Sequence, residues 1–339
     1  MTRALEILRI TPGVTLQDQG RPGYLSQGLS IGGAADRLSL AEGAALLGQS
    51  ADLACLELAG LGGRFKALED LRIALTGAEM QANVDGEPLV WNASHMLHKG
   101  QTLTIGATRQ GTYGYLHIGG GIDTAPFMHS RSTHQVAHIG AALREGQTLP
   151  IGVDLGTETG LTLTKADRFK GGAIRIIPSV QTARFDAEAL ERLETTRFTR
   201  DPRGNRMGAR MSFDGLPFTP PGGLNLLSEM VVPGDIQVTG DGTPFVLLYE
   251  CQTTGGYPRI GTVIPPDLPL IAQARAGDPL HFTFITREAA LAAHRAHIQH
   301  LRDLPKLPKP LIRNPHDIRD LLSYQLIGGM ITGTEKDLT

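Results

Sequence analysis

Apolar positions recur along the chain mostly with the two-residue period of β-strands, in short runs. Leu5–Ile10 alternates as a strand does, and four further strand-like runs follow between residues 71 and 121. Asp85–Gly86 separates two of these runs, which is a strong local signal for a hairpin turn. Three turns of the form Gly-X-X-Leu, each leading into a strand, begin at Gly100, Gly146 and Gly277. Repeated hairpins of this kind are typical of β-barrels, and their unequal spacing argues against a solenoid.

Helical periodicity is confined to a few segments. Within Ile31–Gln49, apolar residues recur at helical spacing from Leu38 onward, so we predict a helix there. The carboxylate of Asp36 is expected to cap its start, because it can accept hydrogen bonds from free backbone N–H groups. Three further helices are predicted in the second half: Ala187–Leu193, Asp267–Ala274 and Thr286–Leu301. The last of these has Thr286 as its N-cap.

The chain divides into two strand-rich parts. Periodicity weakens and charges gather between Gly152 and Gly172, so we place a domain boundary there. We predict an N-terminal β-barrel-like domain over residues 1–165 and a C-terminal β domain over residues 166–300. Residues 301–339 are predicted as a Pro-rich linker and a tail that contains a short amphipathic turn. The 42 glycines and 21 prolines among 339 residues favour many short strands, so the expected fold class is mainly β with a few helices.

Composition narrows the classes of function and location. A formal net charge of -2 gives no reason to expect a nucleic acid or an anionic membrane as partner. The two cysteines, Cys55 and Cys251, form no CxxC pair, which indicates a reducing compartment. No stretch approaches the roughly 18 apolar residues of a membrane helix, and the first residues lack the apolar core of a signal peptide. We therefore expect a cytoplasmic protein.

The segment Glu250–Asp267 carries the most suggestive local chemistry. It follows the strand-like run Pro244–Tyr249 and places Gln252, Thr253 and Thr254 directly before two glycines. Polar donors on a glycine-hinged loop between two strands are a common way to present a site. A long hairpin turn in which these side chains cap the local backbone is the alternative, and the residues alone leave both open.

Three arginine-containing loops are candidates for binding an anion or a polar carbonyl. Thr11–Tyr24 contains Gln17, Asp18 and Arg21, and Arg21 could grip a carboxylate or phosphate, or pair with Asp18 and stiffen the loop. Ser130–Thr133 sets hydroxyl groups beside Arg131, with a loop or helix cap as the alternative. Pro202–Met211 is a basic glycine loop containing Arg206, which could equally be a solvated turn.

A few motifs bear on the remaining classes of site. Glu57 lies in an apolar run, so it must be paired or lie near a pocket. His134 and His138 have the spacing of a helical zinc pair, with His129 nearby, but no Glu follows His134 and no fourth ligand is suggested. We predict no metal site. The sequence contains no GxxxxGK[ST] or GxGxxG, so a P-loop and a Rossmann turn are both unsupported.

Taken together, these loops resemble one family, the biotin-dependent carboxyltransferase (KipA-type) family. This family includes the C subunit of 5-oxoprolinase and the allophanate hydrolase subunit 2-type domain. The resemblance covers about residues 5–290, and the matching segments occur in the family's order: TPGVTLQDQGRPGY, GGAADRLSLAEGAALLG, LELAG, ALTGAEM, LHIGGGID, HSRSTH, NRMGARM, GDIQV and QTTGGYPRIGTVIPPDLPLIAQ. The resemblance implies cyclophilin-like β-barrel domains, the C-terminal β domain among them.

The resemblance also implies a function in a complex. It suggests one subunit of an ATP-dependent 5-oxoprolinase, which opens the lactam of 5-oxoproline to glutamate. The partners would be a B-type (KipI-like) subunit and an amidohydrolase-like A-type subunit, with ATP as the cofactor. One alternative is a carboxyltransferase half that acts on a urea-like amide with a separate biotinyl carrier. The other is a regulatory protein that only binds its KipI-type partner.

The family pattern assigns roles to particular positions of this chain. Its catalytic positions correspond to Asp18, Asp36, Arg131 and Thr253. Its substrate-binding positions correspond to Gln17, Arg21, Ser132, Thr133, Arg206, Gln252, Thr254 and Tyr257. On this basis, loss of Arg131 or Arg206 is expected to remove activity while the fold stays intact. The sequence departs from the pattern at Glu250 and Cys251, where the family usually has Asp-Arg, and losing a cation there leaves the substrate open.

Overall fold

The computed structural model describes residues 3–140, 142–223 and 226–312. In the first half its strands are β1 (Ala4–Ile10), β2 (Val14–Gln17), β3 (Cys55–Ala59), β4 (Gly63–Ala67), β5 (Leu71–Gly77), β6 (Met80–Val84), β7 (Glu87–Pro88), β8 (Ala93–Leu97), β9 (Thr102–Thr108), β10 (Tyr113–Ile118), β11 (Thr148–Pro150) and β12 (Leu161–Thr162). The later strands are β13 (Gly172–Ile177), β14 (Phe198–Arg200), β15 (Gly208–Ser212), β16 (Glu229–Met230), β17 (Asp235–Val238), β18 (Pro244–Leu247), β19 (Thr254–Gly255), β20 (Arg259–Val263), β21 (Pro279–Phe284) and β22 (Lys309–Pro310). The α-helices are α1 (Arg37–Leu47), α2 (Ala187–Thr195), α3 (Leu268–Gln273) and α4 (Arg287–Asp303). The prediction of a mainly β fold with a few helices is confirmed.

The N-terminal half consists of two sheets that share one core. The strand orders are β11-β1-β4-β9-β6-β7 and β2-β3-β10-β5-β8-β12-β22. Leu5 and Phe65 of the first sheet pack in the same buried cluster as Ile73 and Leu116 of the second, because alternate residues of each strand face inward. This half therefore differs from a single closed barrel. The predicted hairpin turn at Asp85 is confirmed by its φ of 51° and by the pairing of β6 with β7.

The second half forms a closed barrel of seven strands, in the order β13-β20-β17-β18-β15-β14-β21. Parallel pairing of β13 with β21 completes the ring, so that neither strand is left with an unpaired edge. Its interior is filled by aliphatic and aromatic side chains, and the Phe198 ring lies 5.2 Å from that of Phe282 and 5.9 Å from that of Phe218. The predicted β-barrel architecture is confirmed in this half.

The helices agree with prediction in position and differ in their bounds. Asp36 caps α1 as expected, accepting hydrogen bonds from the backbone N–H groups of Leu38 and Ser39. The segment before Asp36 is not helical, because Gly32 and Gly33 adopt φ values of 60° and 80°. Thr286 caps α4 as predicted, through a hydrogen bond from the backbone N–H of Ala289. That helix runs to Asp303 and so crosses the predicted boundary at residue 301.

The segment predicted as an extended linker, Leu304–Pro310, is folded against the N-terminal half. Leu304 is buried beside α1, and β22 pairs with β12 at the edge of the seven-stranded sheet. An isolated Pro-rich run gives no local signal for such long-range pairing. The amphipathic turn predicted from Pro315 onward lies outside the described residues. Among the residues that are described, no helix has the length and apolar character needed to cross a lipid bilayer.

Candidate functional site

The loops that carry the predicted site residues meet where the N-terminal half contacts the barrel. The backbone N–H of Gly32 donates to the carbonyl of Tyr249 at 2.8 Å. The backbone N–H of Val136 donates to the carboxylate of Glu250 at 3.2 Å. The end of strand β18 is thereby joined to two separate loops of the other half. Residues that are far apart in sequence converge around Glu250, and the site is built from both halves of the chain.

Arg206 lies at the centre of this junction, between two buried carboxylates. Its Nε donates to Oε1 of Glu250 at 2.5 Å, and its other nitrogens donate to Oε1 of Glu57 and to the carbonyl of Gly33. Burial alone would lower the pKa of Arg206, but the two carboxylates raise it above its ordinary value. The expectation of a guanidinium available to grip a substrate is corrected here, because Arg206 is already fully paired inside the protein.

Glu57 accepts further hydrogen bonds in addition to its ion pair with Arg206. Its Oε2 accepts hydrogen bonds from the hydroxyl of Tyr115 at 2.8 Å and from the backbone N–H of Ala35 at 2.7 Å. Burial raises the pKa of Glu57 above its ordinary value, and Arg206 and these hydrogen bonds oppose that rise. The sequence-based expectation that Glu57 must be paired is confirmed. Glu57 and Glu250 are the two buried charges that Arg206 stabilises.

A second buried network surrounds Arg168. The guanidinium donates to Asp36 at 2.8 Å and to both oxygens of Glu42 at 2.8 and 2.6 Å. Asp36 also accepts from Ser39 Oγ and from Nε2 of Gln273, which belongs to the barrel half. Burial alone would raise the pKa of Asp36, but Arg168 and these hydrogen bonds hold it below its ordinary value. The family resemblance gives Asp36 a catalytic role, whereas the structure makes it a helix cap and an anchor between the two halves.

Neither Arg168 nor Gln273 is singled out by the sequence. Arg168 stands in the charged stretch that marks the domain boundary, and Gln273 lies within a predicted helix. No local pattern distinguishes a buried guanidinium from a solvated one. The one usable signal is Asp36, because a carboxylate next to apolar residues requires a partner.

Asp18 and Arg21 are both buried, but each side chain contacts different groups of a neighbouring loop. Asp18 accepts from Ser130 Oγ at 2.6 Å and from the backbone N–H of Arg131 at 2.6 Å. Arg21 donates to the hydroxyl of Ser132 at 2.9 Å and to its carbonyl at 2.6 Å. The expected Asp18–Arg21 ion pair is therefore replaced by two sets of contacts to the loop at residues 127–132. Both side chains hold that loop in place, and Arg21 is not free to bind an anion.

Two further predicted residues, Arg131 and Gln17, lie on the same loop and beneath it. The Arg131 side chain donates to Asp123 at 2.5 Å and to the carbonyl of Thr124 at 2.7 Å, with 30% of its surface exposed. Gln17 is fully buried, and its Nε2 donates to the carbonyl of Thr133 at 3.1 Å. Of the three predicted arginines, Arg131 is the one that retains substantial contact with solvent.

A cleft of about 520 Å³ opens beside this loop. Thr15, Thr133 and His134 provide polar groups on its wall. The rest of its lining is mainly apolar and includes Ile10, Pro12, Val14, Ile139 and Leu143. No Asp, Glu, Lys or Arg is found among the described residues that line it, so the cleft suits an uncharged or apolar group.

The histidines do not form a helical pair. His134 is buried, with Nε2 3.0 Å from Ser30 Oγ and Nδ1 accepting from the backbone N–H of Ala137 at 3.1 Å. His138 is exposed and adopts a φ of 53°, because the segment is a turn and not a helix. Within the described ranges, no group of three His, Cys, Asp or Glu side chains is positioned to hold a metal ion.

The remaining predicted residues lie on a two-stranded ribbon that covers the outside of the barrel. Strands β16 and β19 pair antiparallel, with Met230 opposite Thr254. Gln252 Nε2 donates to Oε1 of Gln237 at 2.8 Å, whereas Thr253 is half-buried and Tyr257 is exposed. This ribbon is the least enclosed part of the predicted site.

Cys251 precedes the ribbon and is buried against Val231 and Leu247. Burial raises the pKa of its thiol to about 12, so the thiol behaves as an apolar group. The departure from the family pattern at this position therefore puts a small apolar side chain where a cation is usual.

Comparisons with known proteins agree with these findings. Residues 27–284 match the family described as "Carboxyltransferase domain, subdomain A and B". The C subunit of 5-oxoprolinase from Escherichia coli (strain K12) is 35% identical over 297 residues, which cover 86% of this chain and 94% of the relative.

Solved structures show the same fold. The crystal structure of TTHA0988 has a TM-score of 0.76 and 30% sequence identity, over 83% of this chain but 56% of that protein. This chain thus spans little more than half the length of that protein. The K. lactis urea amidolyase has a TM-score of 0.79 over 93% of this chain and 21% of its own length, at 21% identity, which shows a shared fold. The chain belongs to the carboxyltransferase domain family, subdomains A and B.

Proposed function

We propose that this chain is the C-type component of an ATP-dependent 5-oxoprolinase, which converts 5-oxoproline to glutamate. The observation that carries the proposal is the 35% identity to a protein named as the C subunit of 5-oxoprolinase, over 94% of that protein's length. The chain would act in the cytosol with a B-type (KipI-like) subunit and an amidohydrolase-like A-type subunit. The enzyme is then a hydrolase whose activity belongs to the assembled complex.

The ribbon is the part of this chain best suited to hold the lactam. Gln252 offers an amide, Thr253 and Thr254 offer hydroxyl groups, and Tyr257 offers an exposed phenol within a few residues of one another. Hydrogen bonds to the lactam oxygen would draw electron density from the carbonyl carbon and favour attack there. Arg131 is the cation placed to attract the substrate's carboxylate, because its ion pair with Asp123 is partly solvated.

The described side chains do not fit a triphosphate at this junction. Arg21 and Arg206 are committed to buried partners, so neither can neutralise phosphate charge without breaking those contacts. We therefore assign the binding of ATP to another subunit, and this chain's own contribution is to bind and orient the amide.

The test is reconstitution of the complex. The chain is purified with its B-type and A-type partners, and glutamate formation from 5-oxoproline is followed with and without ATP. The proposal requires ATP-dependent glutamate that disappears when this chain is omitted. Formation of the complex without turnover would refute it. Carboxylation of urea in the presence of a biotinyl carrier would then indicate the carboxyltransferase alternative, and no turnover of either amide would indicate a regulatory protein.

A further inference from the structure

A second cleft, of about 400 Å³, lies between the N-terminal half and the segment that leads into the barrel. Residues 89–92, between strands β7 and β8, form one wall, and residues 162–169 contribute to the other. Asn92 joins the two walls, because its Nδ2 donates to the carbonyl of Leu163 at 2.8 Å and its carbonyl accepts from the hydroxyl of Thr162 at 2.9 Å. The volume lies within the range of small-molecule sites, about 300–1,000 Å³. We call it the Trp91 cleft.

Trp91, the one tryptophan of the chain, is part of the apolar lining of this cleft. Its indole N–H donates to the carbonyl of Gly77 at 3.3 Å, and the ring packs against the core of the N-terminal half while remaining only half-buried. Leu89, Leu163 and Phe169 extend the apolar lining. An indole held in this way presents an aromatic surface to a ligand ring, and aromatic pairs contribute more than the area they bury.

The charged side chains of the lining that contact solvent are Glu79, Arg109 and Lys165, and we call them the rim. Glu79 accepts from Lys165 at 2.6 Å and from Arg109 at 3.3 Å, so two cations share one carboxylate. Arg109 is 63% exposed and Lys165 is 49% exposed, so a ligand can reach both. Among the described residues, each cation uses one of its several N–H donors on Glu79. The rim therefore has one positive charge in excess and donors to spare.

The buried end of the cleft offers no cation to a ligand. Glu42 and Arg168 line it, and both are almost fully buried. Arg168 donates to both oxygens of Glu42 and also to Asp36, so two carboxylates share one guanidinium there. An anionic group is consequently disfavoured at the buried end and favoured at the rim. This polarity orients a ligand, with its apolar part inside and its anionic part at the rim.

We propose that the Trp91 cleft binds a small aromatic carboxylate, with its ring against Trp91 and its carboxylate at Arg109 and Lys165. The carboxylate accepts charge-assisted hydrogen bonds from both cations and balances the excess charge of the rim. A neutral ring makes the apolar contacts alone, and a cationic ligand is repelled by the rim. The site shares no residue with the ribbon, so it goes beyond the proposed function.

The probes separate the contribution of the charge from that of the ring. They are 3-phenylpropionate, its uncharged analogue 3-phenyl-1-propanol, and 3-cyclohexylpropionate, which keeps the charge and loses the aromatic ring. Each is titrated into the full chain, and binding is followed by the fluorescence of Trp91, excited where the probes do not absorb. The chain should bind 3-phenylpropionate roughly fivefold more tightly than the alcohol, as expected for partly exposed ion pairs. Its preference over the cyclohexyl acid should be roughly threefold.

Variants of the rim test where the carboxylate binds. Lys165→Gln should weaken 3-phenylpropionate roughly fivefold and leave the affinity for the alcohol unchanged, because the excess charge of the rim is then lost. Lys99→Gln is the matched control, since Lys99 is 58% exposed and pairs with Glu69 at 2.9 Å outside the cleft. It should change neither affinity. The preference for the acid over the alcohol should also decrease with added salt, which screens exposed charges.

Two variants of the wall test where the ring binds. Trp91→Leu should weaken all three probes, with binding followed by the NMR signals of the probes because the fluorophore is gone. Val90→Glu places a carboxylate on an exposed part of the same wall, so it should weaken both acids and spare the alcohol. Because Val90 is exposed, the unfolding midpoint of this variant should stay close to that of the wild type, which separates lost recognition from lost structure.

The inference is overturned if 3-phenylpropionate leaves the fluorescence of Trp91 unchanged or binds no more tightly than the alcohol. Equal effects of Lys165→Gln and Lys99→Gln would overturn it as well. The proposed function is tested separately, because turnover of 5-oxoproline by the reconstituted complex requires no ligand in this cleft. Turnover without binding of the aromatic acid would keep the 5-oxoprolinase proposal and overturn the cleft, and selective binding without turnover would do the reverse.

Discussion

Replacing Arg206 by alanine tests whether this residue belongs to the substrate site or to the framework beneath it. The sequence predicts that its loss removes activity and leaves the fold intact. The structure predicts a large loss of stability, because Glu57 and Glu250 would both remain buried without their common counter-charge. The two expectations differ in the free energy of unfolding of the variant, which can be measured on this chain without its partners.

The size of the expected stability loss follows from the burial of the three side chains in this cluster. Side-chain exposures are 8% for Arg206, 1% for Glu57 and 0% for Glu250, so water cannot replace the lost cation. Removing one partner of a buried ion pair typically costs about 3–5 kcal/mol, against about 0–1 kcal/mol for an exposed pair. At roughly 2–4 °C per kcal/mol for domains of 150–250 residues, the unfolding midpoint should fall by about 10 °C.

The stability loss caused by Arg206→Ala should increase with pH. Burial already raises the pKa of Glu57 in the folded protein, and Arg206 is the main influence that opposes this rise. Without Arg206 the folded-state pKa of Glu57 rises further above its unfolded value of about 4.3, so between these two values the folded state binds more protons than the unfolded state. Stability of the variant therefore falls as pH increases, and its deficit relative to wild type should be larger at pH 8 than at pH 5.

The assay is thermal unfolding followed by circular dichroism at pH 5 and pH 8, for wild type, Arg206→Ala and Arg203→Ala. Arg203 is the matched control, because it lies in the same loop and pairs with Asp201 but has 68% of its side chain exposed. Its replacement should change stability by less than about 1 kcal/mol. A midpoint for Arg206→Ala within 2 °C of the control, or a deficit that grows toward pH 5, would refute the reasoning.

Three other variants or treatments give shorter tests. Arg131→Ala should lower the unfolding free energy by less than about 1 kcal/mol, since Asp123 remains solvated, while turnover of the reconstituted complex falls; a large stability loss would contradict this. Cys55 and Cys251 are both buried, with the pKa of the Cys251 thiol raised to about 12, so a thiol reagent at pH 8 should label neither until denaturant is added; rapid labelling of the native chain would be inconsistent. Gly33→Ala, at a φ of 80° with its Cβ 2.7 Å from a backbone nitrogen, should destabilise by about 1–3 kcal/mol in chemical denaturation, and an unchanged midpoint would show that the loop can relax.

Features governed by local chemistry can be predicted from the sequence. The caps at Asp36 and Thr286 depend on a side chain and the backbone two or three residues later, and both predictions are confirmed. The turn at Asp85 is likewise specified within a few residues. The requirement that Glu57 be paired follows from the cost of burying a charge, although the sequence does not identify its partner.

Features that depend on distant contacts cannot be predicted in this way. Arg21 and Arg206 both occur in polar, glycine-containing loops, and a guanidinium in such a loop can face either solvent or a polar group from elsewhere in the chain. Which of these occurs depends on contacts more than 100 residues away, such as Arg206 with Glu57. The contact between Gln237 and Gln252 is missed for a related reason, because a polar residue in a short strand gives no sign of which element will cover it.

The buried arginine network is connected to the start of the ribbon through Glu250. Glu250 is fixed by Arg206 on one side and by the backbone of Val136 on the other, and Gln252 follows only two residues later. The position of Gln252 relative to Gln237 is therefore set partly by the N-terminal half of the chain. Weakening the Arg206 cluster should allow the start of the ribbon to move, which would loosen lactam recognition although Arg206 does not contact the ligand. Compared with Arg206→Ala, Arg206→Lys keeps the charge but not the three-way hydrogen bonding, so it should recover part of the stability and little of the 5-oxoproline turnover of the reconstituted complex.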